Sequence, residues 1–190
     1  LAILILGLIL FLGAHSFTTL RGPRARLIGR VGEGPYKGLY SIVALAGFAL
    51  IAWGFHRYRQ QGWVQLWTPP DWAPHVTIAL MWFAFVALAA SGKSPGRIRG
   101  WLRHPMVTAV KIWALAHLIA NGDLGGLVLF GSLLAWGVYD RITLKRRGDR
   151  GAPGHAAFTR ADAIALGAGT IAWVAMMGLH PWLIGVAVLG

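Results

Sequence analysis

The first twenty residues, Leu1–Leu20, carry no aspartate, glutamate, lysine or arginine, and fourteen of them run LAILILGLILFLGA. As a helix this stretch is about 30 Å long, the thickness of a bilayer's hydrocarbon core. A helix that is apolar on every side has to be buried in a large core or in lipid. Further apolar stretches repeat along the chain and predict helices at Tyr36–Phe55, Ala73–Ser91, Pro105–Asn121, Leu124–Tyr139 and Ala163–His180. With 56% hydrophobic and only 13% charged residues, and a mean hydropathy of +0.59, the chain reads as an all-α, polytopic membrane protein with six transmembrane helices. Residues 1–190 form one transmembrane domain in this reading. The first stretch lacks a basic n-region and a small-residue cleavage site, so a retained helix is expected rather than a signal peptide.

The polar segments between these helices are strongly sorted by charge. Arg21, Arg24, Arg26, Arg30 and Lys37 lie in the first, Lys93, Arg97, Arg99 and Arg103 in the third, and Arg141, Lys145, Arg146, Arg147, Arg150 and Arg160 in the fifth. The even-numbered side has Arg57 and Arg59. Basic loops face the cytoplasm, which places both termini on the periplasmic side. The same sorting accounts for the net charge of +12, so no nucleic-acid partner is expected. Glycines and prolines between Arg21 and Gly38 predict a loop there, and Pro181 is expected to kink or end the last helix, its tail continuing beyond. Asp162 is a candidate cap for that helix. The segment holding Trp63, Trp67 and Trp72 is expected to lie along the membrane surface, where indoles anchor, and a lid over a lateral ligand entrance is the alternative.

Polar groups inside apolar helices narrow the chemistry. There is no cysteine, which excludes disulfides, iron–sulfur clusters, thiolate-ligated haem and C-x-x-C-H haem attachment. The six acidic residues, Glu33, Asp71, Asp123, Asp140, Asp149 and Asp162, all lie near helix ends or in loops, so a carboxylate proton relay is not expected. Phosphate-binding and hydrolase motifs are absent. His15 and His117 fall within helices, whereas His56, His75, His104 and His180 lie near helix ends and His155 in a loop. Two intramembrane imidazoles suit haem b better than zinc, which takes three or four ligands; an interhelical hydrogen bond is the structural alternative. Met106, Val110, Trp113, His117 and Asn121 share one helix face, and Lys111 shares another with His104 and Thr108. Such a face can line a flat cofactor pocket or simply pack. Lys111 can snorkel, pair with a carboxylate or meet an anion. Met177, on a face with Trp173 and His180, is a soft ligand or a packing residue.

Three stretches, GAHSFTTLR at 13–21, QLWTPPDWAPH at 65–75 and RHPMVTAVKIWALAHLIANGDLGGLVLFG at 103–131, resemble the NnrU family of bacterial membrane proteins along nearly the whole chain. That family is associated with nitrite and nitric oxide metabolism. It is in turn similar to the haem-dependent zeta-carotene isomerase, which holds haem b between two histidines, one in an HSG-like stretch and one in a stretch resembling W-C-x-x-H. The resemblance implies haem b ligated by His15 and His117, a redox or isomerase-like role on a hydrophobic small molecule, and a place in the bacterial inner membrane with lipid as partner. Ala114 stands where the isomerase has cysteine, so a ligand switch through that sulfur has no counterpart here. The Arg103-His104-Pro105 opening also resembles isoprenylcysteine carboxyl methyltransferases, with Asp140 as the acid of the downstream region. A methyltransferase-like enzyme, or a cofactor-free accessory protein for nitrogen-oxide reductases, are therefore the alternative readings. With the expected helices, His15 and His117 sit on the order of 13 Å apart in depth, whereas His117 with His180, or His15 with His104, match better.

Overall fold

A computed structural model of the chain describes residues 1–188. Eight helices are formed: α1 (Ala2–Thr19), α2 (Arg21–Val31), α3 (Glu33–Gln60), α4 (Ala73–Ala89), α5 (Arg97–Leu102), α6 (Pro105–Ala120), α7 (Leu124–Arg146) and α8 (Arg160–Ile184). The only strand-like pairing among the described residues is an isolated antiparallel bridge between Gln65 and Asp123. Helices α1, α3, α7 and α8 are long and apolar enough to cross a membrane; α4 and α6, with 17 and 16 residues, are apolar but shorter.

The expected helix cores are present, and the differences lie where capping overrides composition. The basic segment expected as a loop is mostly helical. Pro23 is the third residue of α2 and Pro35 the third of α3; the first N–H groups of a helix have no intrahelical acceptor, so proline there removes no bond. Gly32, at φ 88°, separates the two helices in a backbone region that glycine enters freely. Helix α7 continues seven residues past Tyr139, because charged residues at the end of a span can carry it into water. Helix α8 runs through Pro181 to Ile184 and ends on Gly185 in the left-handed conformation. The expected tail beyond it includes Leu189 and Gly190, which lie outside the described residues. The α8 N-cap is Thr159, and Asp162 is its reciprocal partner at the third position, a capping box.

The chain divides into two compact units, each described by itself. The first comprises Leu1–Leu66 and Asp123–Ser132. In it α1 and α3 pack antiparallel with their backbones in contact: Gly54 lies against Leu4, Gly7 against Ile51, and Gly47 against Phe11. Small residues permit this approach, which is how helices associate where lipid removes the usual hydrophobic drive. The ends of this unit are tied together through Asp123, 3% exposed. Its Oδ1 accepts from the Gly126 N–H at 2.9 Å, and its Oδ2 lies 3.7 Å from Arg59. The Tyr58 hydroxyl accepts from the Val64 N–H, the Leu124 N–H donates to the Val64 carbonyl, and Gly125 lies flat on the Tyr58 ring.

The second unit comprises Trp67–Gly122 and the chain from Leu133 onward. Helix α4 is its centre, packed on α6 and α8. Gly169 lies against Val86, the Trp82 Nε1–H donates to Thr170 and the Trp173 Nε1–H to the Ile78 carbonyl, each at 3.0 Å. These contacts run in opposite order along the two helices, so α4 and α8 are antiparallel. Thr77 donates to the Ala116 carbonyl at 2.8 Å, and alanines at 84, 87, 109, 114 and 116 are buried.

Candidate functional site

His15 and His117, each within an apolar helix, share one local geometry. In the first unit, His15 Nδ1 is 2.7 Å from the Phe11 carbonyl oxygen. In the second, His117 Nδ1 is 2.8 Å from the Trp113 carbonyl oxygen. A carbonyl only accepts, so each Nδ1 carries a proton, and in the neutral form of such a ring the lone pair is on Nε2. Metal-binding imidazoles are commonly held this way, with the far nitrogen donating to a backbone carbonyl so that tautomer and ring orientation are set. The α-helix supplies the acceptor four residues back, and the side chain leans toward it.

Aromatic rings flank both. The His15 ring is 4.2 Å from Phe11, centre to centre, and meets Tyr40 of α3 edge-on at 5.5 Å. The His117 ring is 5.1 Å from Trp113, and the Asn121 side chain donates to the His117 carbonyl at 2.7 Å. Trp113, His117 and Asn121, expected on one face of the fourth predicted helix, are thus linked along α6. Tyr40 had no sequence signal, because its neighbour lies 25 residues away on another helix.

The other candidates sort by unit. His180 belongs to the second unit with His117. Gly169 against Val86, and Thr77 bonded to Ala116, bring the C-terminal ends of α6 and α8 to the same end of α4. The His180 Nδ1 donates to the Val186 carbonyl at 2.7 Å, so this ring too presents Nε2 as the basic nitrogen. His56 and His75 are exposed, and His155 is exposed with Nδ1 on the Ala157 carbonyl. Lys111 is half-buried, its stem on Gly137. Among the described residues no three histidine, cysteine or acidic side chains group to hold a metal ion.

Arg103 and His104 form the corner between α5 and α6. Arg103 has φ 64° and ψ −51°, and the His104 N–H donates to the Leu102 carbonyl at 2.7 Å. That is a classic-type γ-turn, a rare and strained conformation for a residue with a side chain. The Arg103 carbonyl accepts from the Ala152 N–H at 2.8 Å. Asp140, the acid of the methyltransferase resemblance, lies on α7.

The NnrU protein family profile matches residues 3–188, both units and all eight helices. The chain belongs to the NnrU family. No curated protein and no solved structure matches it.

Proposed function

We propose that this NnrU-family membrane protein binds haem b, and that His15 and His117 are the residues that would hold it. The observation that carries the reading is the paired Nδ1-to-carbonyl bond, at 2.7 and 2.8 Å, which makes Nε2 the donor atom in both residues. The residues fit the group: neutral imidazoles are standard haem ligands, and Phe11, Tyr40 and Trp113 give each an aromatic surround. Bound haem would supply one-electron chemistry, and the role proposed is redox or isomerase-like toward a hydrophobic small molecule. The chain's own part is to fix the two tautomers and to surround the imidazoles with apolar side chains.

The proposed setting is the bacterial inner membrane, crossed six times with α4 and α6 as the two short spans, and with both termini periplasmic. The basic segments around α2, around α5 and after α7 would then be cytoplasmic. The proposed context, from the family resemblance, is nitrite and nitric oxide metabolism.

Purified protein should show a Soret band and a b-type pyridine haemochrome. His117→Ala should abolish haem retention, and His15→Ala should convert a six-coordinate spectrum to a five-coordinate one. Protein expressed with adequate haem supply but lacking a Soret band would overturn the proposal and favour the cofactor-free accessory reading. The shared unit of His117 and His180, with the C-terminal ends of α6 and α8 at one end of α4, favours a second assignment of the partner ligand. A spectrum altered by His180→Ala and untouched by His15→Ala would establish that assignment.

A further inference from the structure

Three buried side-chain nitrogens of the second unit are left unused by the haem proposal. Arg99 Nε, His104 Nε2 and Arg141 Nη1 are each buried without a hydrogen-bond partner. All three belong to the second unit. Buried polar groups are normally satisfied, and those left over ask for a ligand.

The backbone brings them to one end of the unit. Arg103 donates its N–H to the Arg99 carbonyl at 2.9 Å, so Arg99 sits one helical turn before the corner and His104 caps α6. The Lys111 stem lies on Gly137, which fixes the register of α6 on the later part of α7. Gly151, past the end of α7, lies against Arg103 and His104, so α6 and the later part of α7 run in opposite senses; one turn toward the start of α6 and one turn toward the end of α7 bring Thr108 and Arg141 to about one height, and His104 lies one further turn along. Each of the nearby acids has a partner. Asp162 accepts from the Arg97, Ile98 and Thr159 N–H groups, Asp149 accepts from the Gly151 N–H, and Asp140 has an interaction of its own. Ten lysines and arginines face three aspartates across residues 91–104 and 140–162. The strained turn at Arg103 is a second, independent mark, since backbone strain concentrates at ligand clamps.

We propose that this corner binds a phosphate-type oxyanion, with Arg99, His104 and Arg141 as its donors. Guanidinium groups suit phosphate because their planar donors match its oxygens. A depression of about 400 Å³ opens along α5 next to the corner, lined by Arg97, Ile98, Gly100, Trp101, Gly154 and His155 and by none of the three donors. Trp101 is 83% exposed and suits the bilayer interface. Basic pockets at the cytoplasmic ends of membrane helices take acidic lipid headgroups; a free phosphate offers the same chemistry. The proposal does not depend on haem.

Native mass spectrometry of the full chain in detergent, with phosphatidylglycerol or phosphatidylcholine added, tests it. Phosphatidylglycerol should be retained about tenfold better. Arg99→Gln, His104→Gln and Arg141→Gln should each reduce that retention about tenfold, the scale of one charge-assisted bond. Arg146→Gln, which removes the same charge from an exposed position, should leave it unchanged. Should the buried variants fail to fold, the headgroup preference of the natural chain still decides. Inorganic phosphate that raises Tm saturably and displaces the lipid would support the site and name the free anion as a ligand. Equal retention of both lipids together with no effect of inorganic phosphate would overturn it, as would undiminished phosphatidylglycerol retention in all three folded variants.

Discussion

The Asp162 carboxylate works in two places at once. Its oxygens accept from the Thr159 N–H and hydroxyl, closing the first turn of α8, and from the Arg97 and Ile98 N–H groups at 2.9 and 2.8 Å, closing the start of α5. The residue is 2% exposed, so donors that lose it find no water. Asp162→Asn keeps the shape but turns an NH2 group toward N–H donors, leaving at least one unsatisfied. A loss of about 1–3 kcal/mol is expected, read as a lower Tm in detergent. Because both residues serve one network, Thr159→Ala and Asp162→Asn should be less than additive; a Tm equal to the natural chain's in Asp162→Asn would show that α5 does not depend on this carboxylate. The sequence marks Asp162 as a cap, since Thr-x-x-Asp before an apolar run is a local signature. Its second task is invisible there, because α5 lies more than sixty residues upstream. The imidazole geometry is intermediate. The positions of His15 and His117 in apolar stretches are legible, whereas the bonds that set their tautomers follow only once each helix is in place.

At the scale of elements, close backbone contact decides which glycines matter. A methyl group on Gly47 would sit 2.6 Å from the Phe11 nitrogen, and one on Gly54 would meet the Leu4 backbone, whereas Gly29 in α2 has nothing within 4 Å. Gly47→Ala and Gly54→Ala should each force α1 and α3 apart and cost about 1–3 kcal/mol, the usual price of overpacking. Gly29→Ala should be neutral or stabilise by up to about 1 kcal/mol, as alanine is the better helix former. Thermal melts of the three proteins in one detergent check the contrast, and a Gly47→Ala protein as stable as Gly29→Ala would refute the packing described. Composition could not have singled out Gly47 and Gly54, since both stand in sequences of mixed small and apolar residues, whereas Gly29 stands among arginines. The same limit explains α2 and α5. Pro23 and Pro35 read as breakers until their place in a first turn is known, and the cap of α5 comes from a distant segment. The long apolar helices are legible because bilayer thickness alone demands their length.

At the scale of the whole molecule, the sorting of basic residues is the feature that sequence and structure both carry. The helix ends rich in arginine, at α2, α5 and the end of α7, alternate along the chain with ends where charge is sparse. Arg59 on the sparse side is held by Asp123 at 3.7 Å and stacks 4.9 Å from Trp63. The six-span arrangement proposed above requires α4 and α6 to cross with about 26 and 24 Å of helix, so their flanking residues must complete each span. The natural chain has no cysteine, which makes single-cysteine labelling unambiguous. With a membrane-impermeant maleimide on intact cells, Gln61→Cys should label from the outside. Gly34→Cys, Gly92→Cys and Arg150→Cys should label only after permeabilisation. All four positions are exposed, so a missing signal before permeabilisation reports sidedness and not burial within the protein. If α4 and α6 did not cross, Gln61 and Gly92 would label from the same side. That single comparison therefore separates six spans from four, and it also fixes the face on which Arg99, His104 and Arg141 would meet an acidic headgroup.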